Sequence, residues 1–409
     1  MEKKKIVTIK SFDHYGRGIS KDDEKVVFVW NSVIDDEVEI EYIKEKKNYK
    51  EAIVKKIIKP SDLRVDNPCI YNDKCGGCTL LNISYKEALK FKENRVQEII
   101  DKFCKKSIKV NSIVYDKQFN YRNKIVLHVE GKKVGLYEKE SKKLVEIGKC
   151  LLLNEKLNEI IKKIKDFISN YNHGINEIML RINDDDIMML VKGICDEGLL
   201  VSCFKDIYSL YLNDKLLLGQ KYLTMDLCNY KFNVSSKSFF QINPFVTEKM
   251  FNHIINYIKG KNYKNALDLY CGTGVIGMLI SPYVEKVTGI EVVSDAIVNA
   301  NINKQLNKVE NISFICGKTE DYMDQFSNID LIIVDPPRKG LDKNTINNII
   351  RIKPKEVIYV SCDTITLARD IDLLNKFYDV LEVKPFDMFP NTYHVECVCI
   401  LKRKQTLEI

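Results

Sequence analysis

The sequence predicts a multidomain α/β protein, with an OB-like β-barrel over 1–60, a central α+β domain over 61–235 and a Rossmann-like catalytic domain over 236–409. Three observations carry that expectation: closely spaced alternating strands at the start, a cysteine- and glycine-rich loop after a proline-bounded linker, and strict strand–helix alternation from about Tyr263 onward.

A chain of 409 residues with 45% hydrophobic content has room for two or three ordinary cores. Its opening, MEKKKIVTIK, lacks the apolar stretch of a secretion signal, and no run reaches the roughly 18 apolar residues of a membrane span. These features predict a cytoplasmic protein with no membrane partner, and we expect a monomer. Thirteen cysteines in such a chain argue for metal binding, catalysis or core filling rather than a disulfide framework. The net charge of +7, with basic clusters at Lys44–Lys50, Lys102–Lys109 and Lys139–Lys149, is compatible with a polyanionic partner and only weak support for one.

In chain order, KKIVTIKSF, KVVFVW, DEVEIEYI and KEAIVKKII are short strands separated by polar or glycine turns, which builds the barrel. Pro60 to Pro68 is a linker. Ser84 to Phe103 reads as a helix with Ala88, Leu89, Val96, Ile99 and Ile100 along one side. YRNKIVLHVEGKKVGLY and NEIMLRINDDDIMMLVKG read as hairpins, with a helix over Asn154 to Asn170 between them. The segments ALDLY, KVTGIEVV, ISFICG, IDLIIVD, EVIYVS, YDVLEVKPFD and VECVCILK then supply a doubly wound, mostly parallel sheet.

Chemistry-bearing residues fall at the strand ends. Gly272, Gly274 and Gly277 form a G-x-G-x-x-G turn after ALDLY, where glycines permit close backbone approach to a cofactor. Glu291, about 20 residues on at the end of the second strand, is placed to bind ribose hydroxyls. Asp268 inside the first strand, and the Asp335–Gly340 loop DPPRKG after the fourth, favour S-adenosylmethionine (SAM) over NAD. Cys362 follows EVIYVS directly and precedes a helix that Asp363 or Thr364 can cap. A thiol there is a candidate nucleophile, although most free cysteines are small buried hydrophobes. Cys397 and Cys399 share one strand face and read as core.

Cys69, Cys75 and Cys78, the last two flanking Gly76-Gly77, place three thiols in a loop able to wrap a metal centre, and Cys150 is the candidate fourth ligand. Zinc sites of four thiolates usually show two C-x2-C pairs. One pair with two outliers favours a [4Fe-4S] cluster.

With these residues assembled, the chain resembles the SAM-dependent RNA (uracil-5-)-methyltransferases, specifically the bacterial 23S rRNA enzymes with an iron–sulfur cluster. The resemblance rests on C-x5-CGGC with its distant cysteine, YRNK at Tyr121–Lys124, SFFQIN at Ser238–Asn243, DLYCGTG, DPPRKG, YVSC and MFPNTYHVECV at Met388–Val398. It implies a TRAM-type barrel and a class I SAM methyltransferase domain. It further implies that Gln241, Tyr270, Glu291 and Asp335 line the cofactor site, that Cys362 is the nucleophile and Glu396 the base, and that Arg122 and Lys124 meet the RNA. Its substrate would be 23S rRNA presenting a flipped uridine, with a tRNA loop uridine as the alternative. The sequence departs from the family at Asp363 and Thr364, where Asn and Pro are usual, and at Thr79, where Gln is frequent. A helix N-terminus beside Cys362 is expected to lower its thiol pKa. His394 is a rival base by its ordinary pKa.

Overall fold

The computed structural model describes residues 5–22, 25–139 and 141–405. The first residues of the basic opening, Glu140 within the Lys139–Lys149 cluster, and residues 406–409 lie outside this range. Among the described residues no helix is long and apolar enough to cross a membrane.

The N-terminal unit is a six-stranded sheet built from Lys5–Thr8, Ser11–Phe12, Gly18–Asp22, Lys25–Trp30, Glu37–Glu45 and Tyr49–Lys59. Alternation puts Val7, Val27, Val29, Val38, Ile40 and Ala52 on one inner face, where they form a small core of their own. Trp30 is buried, whereas Tyr15 is exposed and meets Tyr393 edge to face at 5.3 Å.

The central unit is a seven-stranded sheet with Lys124–Glu130, Gly174–Asn183 and Asp186–Ile194 in its middle. Both expected hairpins pair antiparallel. Helix Glu155–Asn170, capped by Asn154 accepting from the Lys156 N–H at 3.0 Å, lays Leu157, Ile161, Ile164 and Phe167 on that sheet.

The C-terminal sheet runs Ile312–Cys316, Val284–Glu291, Tyr263–Leu269, Leu331–Val334, Glu356–Ser361, Glu396–Arg403, Tyr378–Phe386 across its width. The first five are parallel, and Glu396–Arg403 runs antiparallel to both of its neighbours. Strand order therefore reverses between Tyr263–Leu269 and Leu331–Val334, and a ligand crevice opens beyond the carboxyl ends of these strands.

The catalytic core takes in segments that the sequence reading assigned to the central domain. Helix Tyr85–Phe103 presents Val96, Ile99 and Ile100 to Leu367, Ala368 and Ile371 of the catalytic half, not to the central sheet. Val114 hydrogen-bonds along the edge strand, its N–H donating to the Pro385 carbonyl at 2.9 Å and its carbonyl accepting from the Asp387 N–H at 2.8 Å. The hairpin Leu223–Leu227/Tyr230–Val234 turns through Cys228 and Asn229, both at positive φ, and buries Met225 and Phe232 in the other catalytic core. The central sheet is thus inserted between two stretches of chain that fold with the C-terminal sheet.

Candidate active site

Strand Tyr263–Leu269 is buried from Ala266 onward, and Asp268 within it accepts from the Gly277 N–H at 2.7 Å. A Cβ on Gly277 would stand 2.9 Å from that carboxylate, and one on Gly274 would meet the Phe314 ring at 2.6 Å, so these glycines are steric requirements of the turn. Burial pushes Asp268 up to about 7 despite the hydrogen bond. Tyr270 takes a left-handed backbone, φ 63°, rare for a non-glycine residue and typical of a site that demands a particular turn. Glu291 accepts from the Gly272 N–H at 3.1 Å and the Val293 N–H at 2.9 Å, which orients its carboxylate at the crevice.

Gln241, Tyr270, Glu291, Asp335, Cys362 and Glu396, drawn from widely separated segments, all line one cavity of about 860 Å³. Topology explains the last two. Cys362 follows the parallel strand Glu356–Ser361, and Glu396 begins the antiparallel strand beside it, with Ser361 opposite Cys397. Reversal of direction brings the start of one strand to the end of the other.

The electrostatics of the site correct one expectation. The Cys362 thiol is raised to about 11, first by burial and then by the neighbouring Glu396 and Asp335, against the lowering effect of Arg338. The helix Thr364–Leu374 does begin there, but its cap is Asp363, whose carboxylate accepts from the Thr366 N–H at 2.9 Å and adds negative charge beside the thiol. Burial also lifts Asp335, and burial and Asp335 together hold Glu396 well above the usual carboxylate range. His394 is lowered to about 4 by burial and by Arg338, Lys92 and Arg95, which leaves it a weak base. Arg338 and Phe389 also line the cavity and were not singled out from the sequence, although both sit inside motifs that were.

Beyond Cys362 lies a second cavity of about 160 Å³, walled by Tyr15 and His14 of the N-terminal unit together with Arg95, Arg338 and Tyr393. Arg95 donates to the Tyr393 carbonyl at 2.6 Å, and its Nε is buried without a partner among the described residues.

YRNK lies apart from the large cavity. Arg122 lines the wall of the cysteine cavity, and Lys124 is lowered to about 8 by burial and by Arg181 and Arg122. Neither reaches the large cavity. Asn123 connects to it: its N–H donates to the Ile242 carbonyl at 2.9 Å and its side-chain amide to the Gln241 carbonyl at 3.2 Å, tying the Ser238–Asn243 segment to the central sheet.

Cys69, Cys75, Cys78 and Cys150 line a single cavity of about 150 Å³ with Leu81, Ile125 and Leu152. Burial raises the Cys75, Cys78 and Cys150 thiols. Lys139, itself lowered to about 8 by burial, is the cation favoured by Cys78 and Cys75. Among the described residues no three His, Cys, Asp or Glu side chains converge tightly enough to hold a single ion. Four soft sulfur donors lining one cavity are the donor set that an iron–sulfur group takes. Cys397 and Cys399 are fully buried in the core, as expected.

Sheet order, glycine turn and the cavity at the strand ends define a SAM-dependent methyltransferase. Comparison with known proteins narrows this. The model of the tRNA (uracil-5-)-methyltransferase family matches residues 211–404. An uncharacterized RNA methyltransferase of Clostridium acetobutylicum is 35% identical, the alignment covering 97% of this chain and 96% of that one. One from Clostridium tetani is 33% identical over 94% and 93%. The chain belongs to this family of RNA (uracil-5-)-methyltransferases. Its fold matches that of a Pyrococcus abyssi tRNA (uracil-54, C5)-methyltransferase, solved with S-adenosyl-L-homocysteine, at a TM-score of 0.81 and 24% identity, over 98% of this chain and 100% of the other.

Proposed function

We propose that the protein methylates carbon 5 of a uridine in 23S rRNA, with Cys362 as nucleophile and Glu396 as base. The observation that carries this is the meeting of Cys362 and Glu396 on adjacent strand ends, in the same cavity as Gln241, Tyr270, Glu291 and Asp335. Carbon 5 of uracil is a poor nucleophile. Addition of Cys362 to carbon 6 as the thiolate, its thiol proton lost to solvent, moves the ring electrons toward carbon 5, which then takes the methyl group of SAM as S-adenosylhomocysteine leaves. Glu396 removes the carbon-5 proton, the carbon 5–carbon 6 double bond re-forms, and the thiolate leaves. A carboxylate with a raised pKa is the stronger base for that step.

An iron–sulfur cluster held by Cys69, Cys75, Cys78 and Cys150 fits the donor set and the cavity between them. Arg95, Arg338, Tyr15 and Tyr393, beside Cys362, supply the cations and rings that single-stranded RNA requires. The rRNA reading rests on the cysteine pattern. The N-terminal β-rich unit does not discriminate, because the Pyrococcus tRNA enzyme shares the fold over nearly the whole chain. That match favours a second reading, a tRNA loop uridine.

Incubation with labelled SAM and either 23S rRNA or tRNA, followed by mapping of 5-methyluridine, decides between them. Cys362→Ala should be inert and form no adduct. Glu396→Gln should accumulate a methylated RNA–protein adduct on denaturing gels, because the remaining proton blocks elimination. Normal 5-methyluridine formation by Cys362→Ala would remove the nucleophile assignment.

A further inference from the structure

We propose that the cysteine loop positions the segment Asp387–His394, and through it Glu396, so that the state of the four thiols is transmitted to the active site. The segment joins strands Tyr378–Phe386 and Glu396–Arg403, and it contributes Phe389 and His394 to the large cavity. Its centre is Asn391, buried and at φ 65°. The Asn391 carbonyl accepts two hydrogen bonds, from the Thr79 N–H at 2.9 Å and the Leu80 N–H at 3.0 Å. Thr79 is the residue after Cys78. The Asn391 side chain is gripped as well: its Oδ1 accepts from Gln118 at 2.8 Å, and its Nδ2 donates to the Gln118 carbonyl at 3.0 Å.

A second tie runs from the other wall of the cysteine cavity. Tyr121, next to the cavity-lining Arg122, is buried and donates its hydroxyl to the Pro390 carbonyl at 3.2 Å. Two elements adjoining the four thiols thus hold two successive carbonyls of one segment. Backbone-to-backbone bonds transmit position stiffly, because neither partner can reorient without moving its chain. A cluster that fixes Cys78 fixes the Thr79 and Leu80 donors, and with them the approach to Glu396. Because coupling is reciprocal, loosening Asn391 must also weaken the hold on whatever the thiols bind.

The inference rests on the cysteine site being a metal-cluster site, so the test separates the two. Iron and zinc are measured first on anaerobically purified full-length protein. Hydrogen exchange of peptides covering 387–396 is then compared among wild type, Cys75→Ser and Tyr121→Phe, with peptides from the central hairpin 174–194 as a control for global unfolding. Cys75→Ser should speed exchange in 387–396 by roughly tenfold, within the usual range of intersite coupling, and leave the control unchanged. Tyr121→Phe should speed it several-fold with metal content intact.

Asn391→Gly, which keeps the left-handed backbone but deletes the Gln118 pair, should speed release of iron to a chelator. It should also lower kcat while leaving SAM affinity unchanged. Unaltered exchange in 387–396 in Cys75→Ser overturns the proposal, as does iron release from Asn391→Gly at the wild-type rate. Protein without iron overturns the cluster reading, and the exchange of Cys75→Ser then decides the coupling alone.

Discussion

At the scale of single residues, the active site is defined by burial of ionisable groups beside one another. Cys362, Asp335 and Glu396 share one cavity and each is pushed toward its neutral form. With the thiol at about 11, alkylation of Cys362 by iodoacetamide should rise about tenfold per pH unit from 7 to 10, since only the thiolate reacts. A plateau reached near pH 7 would contradict the assigned environment. Asp363→Asn restores the family's uncharged cap and removes one of the acidic neighbours that raise the thiol, so alkylation at pH 8 should be several-fold faster. Glu291→Ala deletes an oriented carboxylate worth roughly 1.5–3 kcal/mol in charged hydrogen bonds, and SAM affinity in calorimetry should fall about tenfold to a hundredfold.

At the scale of elements, the helix Tyr85–Phe103 is the strut that joins the linker region to the catalytic half. Its apolar stripe packs on the second catalytic core, and its Lys92 forms a fully buried ion pair with Asp387. Lys92 also donates to the Phe389 carbonyl at 3.0 Å, and Tyr85 donates to Asp387 at 2.7 Å. Lys92→Ala would leave Asp387 buried with the Tyr85 hydroxyl as its remaining side-chain partner, at a cost of about 3–5 kcal/mol, read as a lower urea midpoint. Lys92→Ala, Asp387→Ala together should cost less than the sum of the single changes, because the first change strands the second group. Additive losses would mean that the pair is not the unit.

At the scale of the whole molecule, the catalytic domain is discontinuous in sequence. The fragment 236–409 lacks the helix that covers Leu367 and Ile371 and the hairpin whose Met225 and Phe232 complete the other core. Produced alone, it should aggregate or lack a cooperative thermal transition, whereas the full chain should show one. A soluble, cooperatively folding 236–409 fragment would contradict the packing described.

What could be read without coordinates was whatever depends on short-range pattern. The alternation of β-branched residues placed the strands, the glycine spacing placed the cofactor turn, and six cavity residues were recognised because each lies within a few residues of a strand end or inside a matched motif. Three features were decided only by the tertiary structure. Arg122 lines the cysteine cavity because the chain entering Lys124–Glu130 runs beside the Cys150 loop, the Arg122 N–H donating to the Leu152 carbonyl at 2.8 Å. The Cys362 thiol rose rather than fell because the fold buries it, and because Glu396 and Asp335, carboxylates distant in sequence, are brought beside it. The domain boundary shifted because an amphipathic stripe states that a helix will bury one face and is silent on which sheet receives it. Local propensity sets elements; the charges and surfaces that meet across them belong to the fold.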